Sequence, residues 1–157
     1  MALTLDSVSK VLMADEPDYV ELANRFGPAA LPILEQLVRS DDELLAAKAA
    51  SLAAAIGGAG ATPVLEAAAR RAEIGPRAVA AHGALRLPSD SAERILLALV
   101  EDDEPAVAKH ALRTAAGLPT AAMRAKVQTL VSTAAHPTIA DEAREALQRM
   151  VIPKPKP

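Results

Sequence analysis

The stretch Asp103–Val131, DEPAVAKHALRTAAGLPTAAMRAKVQTLV, reads as two helices joined by a Gly117-Leu118-Pro119 turn. Most of the chain consists of variants of it. In the second helix of each unit, Leu34, Leu65, Leu96 and Val127 lie 31 residues apart. Leu37, Ala68, Leu99 and Leu130 keep the same step, and so do Val38, Ala69, Val100 and Val131. A fixed period in this range marks helix pairs that cannot bury their apolar faces alone and stack on their neighbours. The expected fold is an all-α solenoid of about four helix pairs plus end helices, about ten helices in all, in a single domain over residues 1–150.

Composition agrees with this. Of 157 residues, 51% are hydrophobic, yet only 1% are aromatic, so the apolar content comes from Ala, Leu and Val, and Ala-rich helices approach one another closely. Strand signals are weak because helix formers dominate and alternation is absent. A net charge of −3 argues against a polyanion as the main partner. With no cysteine there is neither a disulfide framework nor a thiolate metal site. No stretch reaches the ~20 apolar residues of a spanning helix, and Asp6 near the N-terminus does not fit a signal peptide. A soluble, cytoplasmic protein without membrane contact is the expectation.

Outward from the opening stretch, local signals set the remaining boundaries. An N-terminal capping helix is expected over Thr4–Ala14 within residues 1–17, ended by Glu16-Pro17. Asp18 caps a short helix to Phe26, which Gly27 stops. Its Tyr19 and Phe26, seven residues apart, plug the end of the stack or offer an aromatic binding contact. Helices over Ala29–Arg39 and from Asp41-Asp42 to Gly57-Gly58 follow, the second with acidic residues at its start as the helix dipole prefers. Thr62 is expected as the N-cap before Pro63, and Asp90 with Glu93 as a capping box. The later helices are Pro76–Leu87, Ser91–Glu101, Glu104–Ala116, Thr120–Ala134 and Pro137–Met150, with residues 151–157, VIPKPKP, as an extended, flexible tail. First helices align on Leu45, Val79, Val107 and Ile139 with steps of 34, 28 and 32. This predicts a register shift in the third unit, from a longer loop near Ile74-Gly75 balanced by a tight turn at Pro88.

The segment Asp103, Pro105, Val107, followed by Ala111 and Gly117, resembles the HEAT-repeat family, in particular the short bacterial type also found in the phycobilin-lyase-like subgroup. Pro137 and Ile139 repeat the motif, Pro76 and Val79 do so loosely, and Gly27 with Pro32 and Gly57 with Pro63 add familiar turns. The resemblance covers about Asp18 to Met150 and implies a right-handed solenoid whose second helices line a concave face. It says little about activity, since such repeats scaffold unrelated functions.

No catalytic constellation stands out, so no enzyme, cofactor or metal is expected. His82 and His110 each follow a core valine by three residues, with Lys48 and Glu142 at the matching place in other units. With helix axes ~8–10 Å apart, two imidazoles would come within ~2.1 Å of one zinc only by both leaning inward, with further ligands nearby, so a histidine ladder is the reading. The serines and threonines at helix ends serve as caps. Gly57-Gly58-Ala59-Gly60 lacks the lysine of a phosphate loop. On the second helices the most exposed places read Glu35, Glu66, Leu97 and Gln128, and one turn later Arg39, Arg70, Glu101 and Ser132. Glu35–Arg39 and Glu66–Arg70 are expected as i,i+4 pairs. Arg71, Arg94 and Arg124 add positive charge, but no aromatic is interleaved for nucleic acid.

The expectation is therefore a non-enzymatic scaffold or adaptor that binds a helix or extended peptide of another protein. Its partner-binding residues are Glu35, Arg39, Glu66, Arg70, Leu97, Glu101 and Gln128. Self-association through the stripe of Ile139, Leu147 and Met150 is a second route. The alternatives are an accessory subunit of a phycobilin-lyase-like enzyme and a HEAT-like DNA-binding protein.

Overall fold

A computed structural model describes residues 2–150. Its helices are α1 (Leu5–Leu12), α2 (Tyr19–Phe26), α3 (Leu31–Leu37), α4 (Glu43–Ile56), α5 (Thr62–Ala69), α6 (Ile74–Gly83), α7 (Ser89–Leu99), α8 (Pro105–Ala115), α9 (Ala121–Thr133) and α10 (Pro137–Arg149). Nine of these have eight or more residues and α3 has seven, and there is no strand among the described residues. No helix there is long and apolar enough to cross a membrane.

Side-chain caps fix several starts. Thr4 and Ser7 form a capping box at α1, with Ser7 N donating to Thr4 Oγ1 at 3.1 Å and Thr4 N to Ser7 Oγ at 2.9 Å. Asp18, Asp42 and Thr120 accept from backbone N–H groups at the starts of α2, α4 and α9. Gly57 ends α4 at φ +70, with its ideal Cβ position 3.1 Å from the Arg86 carbonyl oxygen, so both the turn and the space favour glycine.

Several expected boundaries are corrected. The helix expected over Ala29–Arg39 is split, with a 3₁₀ turn over Gly27–Ala30 preceding α3, because Pro28 and Pro32 remove N–H donors at successive starts. Thr62 is not a cap: Ala61 takes that place, and the Thr62 hydroxyl is buried without a partner. Asp90 makes no capping bond, since α7 already begins at Ser89 after Pro88. Ile74 and Gly75 form the first turn of α6 rather than a longer loop.

The helices contact one another in two tiers. α2, α4, α6, α8 and α10 touch in sequence, and so do α3, α5, α7 and α9, while α1 packs on α3 and α4. The core lies between the tiers. Leu34, Leu65, Leu96 and Val127 are all fully buried there, at the 31-residue step read from the sequence.

The first helices keep that step too, which corrects the expected register shift. Ala49, Ala80 and Ala111 are 31 apart and fully buried, as are Ala53, Ala84 and Ala115. The third unit thus presents Pro76, Ala80 and Ala84 to the core, and Val79 is only half-buried. On this grid Val79 is the equivalent of Lys48 and His110, so His82 and His110 do not occupy the same repeat position.

α10 closes the described chain against α8 and α9. Ile139 and Met150 of its apolar stripe are buried, and Leu147 is half-buried against the core. The expected tail over 151–157 lies outside the described residues.

Candidate functional site

Two surfaces present side chains in a fixed arrangement. The first is the row on the second helices. It is anchored in the core, since each of Glu35, Glu66, Leu97 and Gln128 directly follows a fully buried residue of the 31-residue column. Glu35 of α3 binds Arg39, two residues past the helix end, with Arg39 Nη1 at 3.5 Å from Oε1 and donating to the Glu35 carbonyl at 2.7 Å.

Glu66 departs from expectation. It pairs with Arg94 of α7 at 3.0 Å instead of Arg70. Arg70 falls at the C-cap of α5, past the last helical turn, and is left exposed. Glu101, just beyond α7, pairs with Lys126 of α9 at 3.1 Å. Leu97 is half-buried against the core, and Gln128 is exposed. The seven residues thus lie on α3, α5, α7 and α9 or at their ends, with ion pairs bridging α5 to α7 and α7 to α9.

The arginines thought to add free positive charge are engaged. Arg71 donates to the Val38 carbonyl at 3.0 Å and pairs with Glu73 at 2.6 Å. That guanidinium holds the Glu73 carboxyl below its ordinary value. Arg124 donates to the Met150 carbonyl at 2.7 Å, capping the end of α10. Near these ends Arg77 grips Asp102 with two bonds of 3.0 Å, in the most sheltered ion pair of the described residues.

The second surface was not legible in the sequence. On the opposite tier an open groove of about 530 Å³ runs over α4 between α2 and α6. Ser51, Ala54 and Ala55 form its floor, with Tyr19 and Val20 on one side and Val79, His82 and Arg86 on the other. His110 of α8 stands at its far rim. Small floor residues leave this space, and Gly83 lets α6 press close to α4 beside it. Val20 is 69% exposed, the most open of the large hydrophobic residues among those described. Burial pushes the Tyr19 phenol above its ordinary value, with a hydrogen bond to Ser51 partly opposing the shift. The one signal in the sequence was the pairing of a lone tyrosine with an adjacent valine at the start of a short helix.

The two aromatics separate. Tyr19 faces this groove, whereas Phe26 lies beside Leu3, Ser7 and Val11 of the N-terminal segment, with the Arg25 guanidinium 5.4 Å over its ring. Among the described residues no group of three or more His, Asp or Glu side chains is placed to hold a metal ion. Neither a protein-family model nor a curated protein matches this chain.

Proposed function

We propose that this chain is a non-enzymatic, cytoplasmic protein-interaction scaffold. Its architecture is a short right-handed α-solenoid of HEAT-type helix pairs, and its second-helix row receives a helix or extended peptide of a partner protein. The observation that carries this reading is the row's common footing. Glu35, Glu66, Leu97 and Gln128 each sit one residue beyond a wholly buried core position at a constant 31-residue step. Side chains held at regular intervals by a rigid core are preorganised, so little conformational freedom is lost when a partner binds. Arg39, Arg70 and Gln128 keep exposed polar groups along it.

The test is affinity capture of partners from the source cell's lysate, comparing the wild-type chain with Arg39→Glu/Arg70→Glu. A partner protein lost on this double reversal supports the row as its surface. A partner retained at wild-type yield refutes it.

A further inference from the structure

The groove on the opposite tier carries a more specific reading. We propose that it takes an apolar segment of a partner polypeptide, with a flanking carboxylate of that segment facing Arg86. This rests on the reading of the chain as a protein-binding module, but it assigns a different face and a defined chemistry.

Shape comes first. Floor residues Ser51, Ala54 and Ala55 are short, so the flanking Tyr19, Val20 and Val79 stand above them as apolar walls. A wall residue as exposed as Val20, at 69%, costs water contact that an apolar occupant would relieve. The groove is open along its length, whereas a small-ligand site encloses most of its ligand. A polypeptide segment lying across it fits that openness.

Charge then gives the occupant its polarity. The chain carries a net charge of −3, yet no carboxylate among the described residues lines the groove. Among those residues, seven of the eleven arginines pair with a carboxylate. Arg86 has none among the described residues, its one bond being a long 3.4 Å contact to the Ala55 carbonyl on the groove floor. His82 and His110 add imidazole N–H donors on the same side. Across the groove, Asp18 beside Tyr19 is committed to its own helix, accepting from Glu21 N at 3.0 Å. An acidic group on the occupant therefore finds complementarity at the α6 side and none at the α2 side.

The test is selection of a phage-displayed random peptide library on the full-length chain. Enriched peptides are then measured by fluorescence anisotropy against four forms: wild type, Val20→Glu, Arg86→Glu and Arg39→Glu/Arg70→Glu. All four side chains are exposed, and thermal melts confirm that the variants fold. We expect peptides with apolar residues beside an Asp or Glu that bind at least ten-fold more weakly to Val20→Glu and to Arg86→Glu. The second-helix double variant should bind them as wild type does, and replacing the peptide's acid by lysine should restore affinity for Arg86→Glu. Enriched peptides without an acidic residue, or indifferent to both groove variants, overturn the proposal. Peptides weakened only by the second-helix variant overturn it while leaving the scaffold reading in place. Selection that enriches nothing overturns both.

Discussion

Gly83 of α6 meets Ala54 of α4 so closely that a Cβ on Gly83 would lie 2.7 Å from the Ala54 Cβ. That atom cannot move without its helix. The contact fixes how near the two helices come, and with it the depth of the groove beside them.

Gly83→Ala should therefore destabilise the protein. In an exposed helix the change would gain about 0.5–1 kcal/mol, but overpacking of a close helix contact costs about 1–3 kcal/mol. A net loss of about 1 kcal/mol, read as a lower Tm in thermal denaturation, is expected. Gly60→Ala is the control, because the atom its Cβ would meet at 2.8 Å is the flexible end of Leu31, which can turn aside. A raised Tm for Gly83→Ala would show that α4 and α6 are not in this contact.

Asp102→Ala should be among the costlier polar substitutions. Asp102 receives both arms of Arg77 and also the Glu104 backbone N–H at 2.9 Å, tying the start of α6 to the turn before α8. Its removal leaves a largely sheltered guanidinium without its anion, for a loss of about 2 kcal/mol. Urea denaturation of Asp102→Ala, Arg77→Met and the double variant checks this. The double variant should lose less than the sum of the two single losses.

Acid should loosen the attachment of α10. Glu142 pairs with Arg113 of α8 at 2.6 Å, and that hydrogen bond holds the Glu142 carboxyl below its ordinary value. A carboxylate with a lowered folded-state value contributes stability that is present above its unfolded value. That contribution is lost as pH falls from the ordinary glutamate range through the lowered one. Glu142→Gln should flatten the stability profile across that window and leave its shape near neutrality unchanged. An identical acid limb in the two proteins would refute the assignment.

Tyr19 provides a spectroscopic handle on the groove. It is the one tyrosine in a chain without tryptophan, so ultraviolet absorbance of phenolate reports it alone. The titration should lie above the ordinary tyrosine value because burial disfavours the anion, and Ser51→Ala should raise it further by removing the opposing hydrogen bond. A downward movement in Ser51→Ala would contradict the Tyr19–Ser51 contact.

What could be read from residues alone follows the side chains that fill the core. The second-helix column was visible because Leu34, Leu65, Leu96 and Val127 are large, apolar and evenly spaced. The first-helix register was not, because its core places hold Pro76 and small alanines, and Val79 one turn away offered a stronger but misleading signal. Glu66–Arg94 was hidden for another reason: its partners are 28 residues apart, and local helix spacing favoured Arg70. The groove is defined by what its floor lacks in bulk, which no single residue type announces.

The apolar columns make one helix pair much like the next, so core side chains at a junction do little to tell a slipped pairing of α9 on α5 from the true one, beyond the burial that a displaced unit forfeits. The ion pairs do distinguish them. In that slipped arrangement Arg70, one 31-residue step before Glu101, would stand where Glu101 now meets Lys126, setting two cations face to face. Glu66–Arg94 and Glu101–Lys126 fall at different places along their helices, so each junction carries its own key. The register between neighbouring second helices is thus marked at the surface as well as in the core, by contacts that add little to stability yet disfavour the wrong neighbour.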